Sequence, residues 1–307
     1  MDILLQQIIN GLVQGSIYAL VALGYTMVYG IMGLINFAHG EVVMIGTLVA
    51  ITVITFCLKA GLPVLLAAGL GVAAAAAVCM ALGWSLERIA YRPLRNAPRL
   101  TPLITAIGCS IVLQNLAMMI WGRNYLTFPP VIENAQYELA GASFTSIQVA
   151  IVLISGLSMA GLLFLVYRTR LGMAMRATAQ NPAVASLMGV NANRVIAAAF
   201  VIGSALGALA GVMVGSYYEI AHYQMGFLLG LKAFTAAVLG GIGNLAGAMA
   251  GGVLLGIIEA LGAGYIGDLT GGFLGSHYQD IFAFIVLIAV LMFRPSGLFG
   301  EKTGDRA

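Results

Sequence analysis

The chain is predicted to be an all-α polytopic membrane protein of about eight to ten transmembrane helices, some broken at glycines, with a helix in one cytoplasmic loop. Three observations predict it. Of 307 residues, 61% are hydrophobic and 8% charged, with a mean hydropathy of +1.01, whereas a water-soluble domain carries about 25% charged residues. The apolar residues gather in nine runs, near 3–29, 40–58, 62–86, 101–121, 147–167, 195–218, 227–242, 245–263 and 279–293. At roughly 20 residues per span these fill the chain, so residues 1–307 read as a single transmembrane domain with no sizeable soluble part. Third, the charges are sorted by connector rather than scattered.

The first run lacks the basic flank of a signal peptide and is too long for a cleaved apolar segment, so it reads as the first span. It passes through Gly30 and Gly33 into Asn36-Phe37-Ala38-His39-Gly40-Glu41, which places an amide, an imidazole and a carboxylate within six residues. Two readings stand. A broken helix with exposed backbone ends builds polar sites inside transporters; alternatively, the segment is a short cytoplasmic turn in which Asn36 caps the next helix.

The connectors then set the sides. Residues 87–99 hold Arg88, Arg92, Arg95 and Arg99; residues 168–194 hold Arg168, Arg170, Arg176 and Arg194; the tail holds Arg294, Lys302 and Arg306. Eleven of the 14 basic residues therefore lie on one side, the cytoplasmic one by the positive-inside rule. Glu133, Glu138, Glu219, Asp268 and Asp280 fall on the other, with Lys59 and Arg123 against the trend. Alternation puts the N-terminus outside and the C-terminus inside. The longest outer connector, 122–146, contains Pro129 and Pro130 and reads as a plain loop or, alternatively, as a contact for an extracytoplasmic partner.

The stretch Arg168–Arg194 is basic and amphipathic. Asn181 is an N-cap, Pro182 sits at the first helical position and Gly189 is a stop. Val184, Leu187 and Met188 share one face at helical spacing. A short capped helix with an apolar face, held outside the membrane by arginines, suits docking on a soluble partner.

Polar groups inside spans are functional candidates by default. Besides Asn36, His39 and Glu41, these are Lys232 and Thr235 in FLLGLKAFTAAV, Asn244 in the glycine break GGIGN, and Gln114-Asn115. Lys232 either snorkels outward or pairs with Glu41 or Glu259; Gln114-Asn115 suits interhelical hydrogen bonding. Cys57, Cys79 and Cys109 lie in apolar runs without metal-type spacing, and His39, His222 and His277 show no ligand spacing, so no metal site is expected. Gly241-Ile-Gly243-Asn-Leu-Ala246 imitates a dinucleotide fingerprint, but no strand and no parallel sheet accompany it. The chain has no P-loop and no catalytic constellation; it is read as binding no cofactor and no nucleic acid.

Four segments carry a family resemblance. GLVQGSIYALVALGYTMVYGIMGLINFAHGE (11–41), RIAYRPLRNAPRLTPLITAIGCSIVLQN (88–115), KAFTAAVLGGIGNLAGAMAGG (232–252) and RPSGLFG (294–300) resemble the branched-chain amino acid permeases of ABC importers, of LivH type. The resemblance implies a bacterial inner-membrane permease subunit in the lipid bilayer that forms its path with a second homologous permease. It implies two ABC ATPase subunits carrying ATP-Mg on the cytoplasmic face, and a periplasmic amino-acid-binding protein. Arg170, Gly172, Arg176, Ala177, Ala185 and Gly189 match the family's coupling segment. Asn36, His39, Glu41, Lys232, Thr235 and Asn244 are the expected path residues. Related permeases carry urea or short amides, which is the alternative within the family. Outside it, Glu41, Lys232 and Glu259 leave open an ion-coupled secondary transporter.

Overall fold

Lipid offers no water to a backbone, so each apolar run must satisfy its own N–H and C=O groups, and it does so as helix. The computed structural model describes residues 2–95, 97–98, 100–132, 134–139, 141–269, 279–294 and 296–300. Its helices are α1 (Asp2–Met32), α2 (His39–Lys59), α3 (Val64–Ser85), α4 (Leu100–Trp121), α5 (Ser146–Arg168), α6 (Arg170–Gln180), α7 (Pro182–Leu187), α8 (Ala192–Tyr218), α9 (Met225–Gly240), α10 (Leu245–Leu269) and α11 (Gln279–Phe293). Among the described residues, seven helices are long and apolar enough to cross a membrane, and Met225–Gly240 and Phe284–Phe293 are shorter apolar helices. The fold is the expected all-α polytopic one. Arg99, Glu133, His277, Pro295, Lys302 and Arg306 lie outside the described residues, as do the side chains of Asp268 and Asp280.

The architecture is an inverted repeat. In each half a long helix is interrupted for six residues before the next begins: α1 ends at Met32 and α2 starts at His39, α8 ends at Tyr218 and α9 starts at Met225. The neighbours match under exchange of the halves. α1 lies on α10 as α8 lies on α3, and α2 lies on α8 as α9 lies on α1. The second residues of the two half-helices, Gly40 and Gly226, meet each other: a Cβ on Gly40 would stand 2.3 Å from the Gly226 carbonyl oxygen. Most of α1, α2 and α8 is buried, whereas α3, α4 and α5 show most of their surface outward.

Small residues make the central contacts. α1 and α10 run antiparallel, Gly11 against Ile257 and Gly15 against Val253, and a Cβ on Gly256 would fall 2.3 Å from the Gly15 amide nitrogen. With lipid tails as apolar as leucine, such backbone proximity and its dispersion contacts are what hold helices together.

The two ends of the bundle differ. One carries the arginines: the segment after α3 continues as a π-helix (Leu86–Tyr91) and a 3-10 turn (Arg92–Leu94), and Arg95 donates to the Asn193 side chain at the start of α8 at 2.5 Å. The other end corrects the expectation of a plain loop at 122–146. Strand β2 (Gln136–Leu139) forms a hairpin with β3 (Ala142–Thr145), and β1 (Leu126–Thr127) pairs with β4 (Ile220–Ala221). Gln6 of α1 clasps the hairpin through both the amide and the carbonyl of Ser143. The hairpin runs directly into a capping box, Thr145 with Gln148, that opens α5.

Candidate functional site

The 33–38 break is re-entrant. His39, the first residue of α2, packs against Gly24, where a Cβ would be 2.1 Å from its Nε2. Gly24 lies eight residues before the end of α1, roughly 12 Å back along the helix. The chain therefore climbs beside α1 before α2 begins. This corrects the capping alternative: α2 is preceded by Ala38, with no side-chain cap, and the Asn36 side chain instead accepts a hydrogen bond from Tyr91 Oη at 2.9 Å.

Asn36, His39 and Glu41 are all buried. Glu41 Oε1 accepts from Ser110 (3.0 Å) and Gln114 (2.7 Å) of α4, while Oε2 is directed toward Gly226 at the N-terminus of α9. That end carries partial positive charge and unsatisfied amides, a favourable setting for a carboxylate. His39 meets the Tyr25 ring edge-on at 5.0 Å. Glu41 Oε2 and His39 Nε2 have no hydrogen-bond partner among the described residues. Buried polar atoms in that condition call for an explanation.

The other expected path residues lie apart from this cluster. Lys232 adopts the pairing alternative, forming an ion pair with the fully buried Glu259 of α10, with Tyr18 Oη 3.4 Å away. Thr235 donates to the Leu231 carbonyl of its own helix at 2.9 Å. Asn244 accepts from the Gly247 amide (3.1 Å) and donates to the Phe299 carbonyl (3.0 Å), so it opens α10 and ties the RPSGLFG segment to the GGIGN turn. Of the Gln114-Asn115 pair, Gln114 makes the expected interhelical bond and Asn115 donates within its helix to Ile111. Ser110 and Tyr91 escaped sequence reasoning. The i, i+4 spacing of Ser110 and Gln114 in an apolar span was the available signal for the first.

At the arginine-bearing end, residues 168–194 form two helices where the sequence suggested one. Thr169 donates to the Leu165 carbonyl that ends α5 (2.5 Å) and accepts from Gly172 to open α6 (3.1 Å). Gly172 is required there, because a Cβ would be 2.2 Å from the Val166 carbonyl oxygen. Arg170 starts α6, and Arg176 extends over the Tyr167 ring at 5.6 Å. Ala177 accepts the Asn181 amide at 3.2 Å. Asn181 Oδ1 then caps α7 by accepting from Ala183 (3.0 Å) and Val184 (3.1 Å), with Pro182 at the first position. Gly189 follows with φ 85°. Ala185 is buried toward the protein, while Val184, Leu187 and Met188 are 54, 86 and 80% exposed. A cleft of about 90 Å³ separates α6 from α1, lined among others by Thr26, Met175, Arg176 and Gly243.

Residues 7–291 match a family model described as "Branched-chain amino acid transport system / permease component". The chain is 47% identical to the high-affinity branched-chain amino acid transport system permease protein BraD of Pseudomonas aeruginosa, covering 98% of this chain and 97% of that one. It is 46% identical to the corresponding permease protein LivH of Escherichia coli, over 98% and 97%. A probable branched-chain amino acid transport permease protein LivH of Methanocaldococcus jannaschii is 29% identical over 95% of this chain and 91% of its own.

Proposed function

Since the chain belongs to the family of permease components of branched-chain amino acid transport systems, we propose that it works as follows. It is a multi-pass inner-membrane permease subunit of an ABC importer for branched-chain amino acids, and it does not hydrolyse ATP itself. A second homologous permease completes the path, two ABC ATPase subunits hold ATP-Mg, and a periplasmic binding protein delivers the amino acid. The N-terminus is periplasmic and the C-terminus cytoplasmic, an orientation supported by the sorting of arginines.

The observation that carries the coupling is α7. It is capped at its first turn, stopped at Gly189, and presents Val184, Leu187 and Met188 outward on an arginine-flanked tether. Large apolar side chains exposed together outside a membrane mark a contact surface. The helix seats in a groove of an ATPase, and Arg170, Gly172, Arg176, Ala177 and Ala185 hold it in place. Closure of the ATPases on ATP then shifts α7 as a rigid lever between α5 and α8 and switches access between the two faces. Asn36, His39 and Glu41 line the path at the re-entrant break, where Glu41 Oε2 offers an acceptor to the substrate ammonium. Lys232, Thr235 and Asn244 support the second half-helix beside it. The test replaces Val184, Leu187 and Met188 by Asp. The ATPases should no longer co-purify and uptake should stop; retained transport overturns the docking.

A further inference from the structure

The segment between α3 and α4 joins both parts of the machinery. It opens as a π-helix, Leu86–Tyr91, a wide turn that recurs at functional sites. Glu87 is fully buried there and grips two cations: Arg92 binds it through Nε on Oε1 (3.1 Å) and a terminal nitrogen on Oε2 (2.7 Å), and Arg95 shares Oε1. One bidentate arginine and a second charge-assisted bond on the same desolvated carboxylate tie this irregular turn together. From this elbow one contact reaches the start of α8 and another the re-entrant break. Arg95 reaches Asn193 in the first turn of α8, five residues beyond Met188 and the docking helix. Tyr91, buried with its ring against Phe200 at 5.1 Å, donates to Asn36 Oδ1.

We propose that the elbow at residues 86–95 relays movement of the docking loop to the re-entrant break, with Tyr91 as the positioning residue that holds Asn36 in the path. This rests on the reading of α7 as the ATPase contact and of Asn36 as path-lining. Displacement of α8's first turn pulls the elbow through Arg95. The elbow moves as one piece because Glu87 binds it, and Tyr91 then shifts the 33–38 segment. Coupling of this kind requires an element that both sites bias, and the arginine-locked turn is that element.

The experiment uses the complete importer in proteoliposomes and reads ATP hydrolysed per leucine imported. Tyr91→Phe keeps the ring on Phe200 and removes only the hydroxyl. Asn193→Ala cuts the Arg95 contact at an exposed position, where folding is not at risk. Each variant should leave hydrolysis within about twofold of the wild type and lower uptake about fivefold, the weight of one hydrogen bond, so that the ratio rises about as much. A wild-type ratio in assembled Asn193→Ala overturns the relay, whether or not Tyr91→Phe assembles. A wild-type ratio in assembled Tyr91→Phe overturns the role of Tyr91, and parallel loss of hydrolysis and uptake in both overturns the proposal. Failure of the docking reading is seen separately, as ATPases that still co-purify with the Val184, Leu187 and Met188 aspartate variant.

Discussion

Replacing Lys232 by methionine should cost about 3 kcal/mol of stability, and replacing Lys232 and Glu259 together by apolar residues should recover most of it. Glu259 is fully buried and its ion-pair partner Lys232 is 15% exposed. Removing one member of a buried pair typically costs about 3–5 kcal/mol because the remaining charge is left in a poor solvent. The residual exposure of the lysine side, with Tyr18 Oη nearby, argues for the lower end. Replacing both partners by well-packed apolar residues is often close to neutral, so Lys232→Met with Glu259→Leu should lie within about 1 kcal/mol of the parent. Unfolding in mixed detergent micelles, followed by circular dichroism, measures the three chains. A double variant as unstable as the single one would refute the electrostatic argument and assign the damage to packing. The same proteins carry a second reading. If the rebuilt double variant also recovers uptake, the pair is scaffold; if stability returns and uptake does not, its charges belong to the path.

Two further outcomes follow from local geometry. Asn181→Ala removes the acceptor for the Ala183 and Val184 amides, a loss of about 1 kcal/mol; amide exchange at residues 183–188 should quicken about fivefold, and unchanged exchange would contradict the cap. Gly256→Val would drive a side chain into the Gly15 backbone and should abolish recovery of monodisperse protein. Gly69→Val, which meets nothing within 4 Å, should be recovered normally, and equal loss of both would rule out the seam.

Much of this architecture is legible in the sequence because lipid imposes few solutions. Apolar runs must be helices, and arginine placement orders the ends of the bundle; the Asn181 cap and the Gly189 stop could be read directly. What escaped depends on contacts distant along the chain. The depth of the 33–38 break is decided by Gly24 accepting the His39 ring and by Tyr91 holding Asn36, neither of which has a local signature. The π-helix and the gathering of Arg92 and Arg95 on Glu87 fall in a stretch that reads only as a basic connector. The strands at 126–127 and 136–145 are too short for a clear alternation, and β1 finds its partner some 90 residues away. The sequence leaves Lys232 two fates, and the packing of α10 decides between them by bringing Glu259 beside it.

The α1–α10 seam also has a consequence for the order of synthesis. Gly15 and Val253 touch but are 238 residues apart in the chain. At ribosomal speeds of about 5–20 residues per second, the first helix waits roughly 10–50 s for the surface it will bury against. Throughout that interval α1 exposes backbone at Gly11 and Gly15, together with Ser16, Tyr18 and Thr26, which are buried in the finished protein. Nascent α1 must therefore be sheltered by the insertion machinery or by a provisional neighbour, and α8, which also packs on it, emerges first. Ribosome-stalled chains ending before α10 should remain bound to that machinery, and release should coincide with the appearance of Gly252 and Gly256.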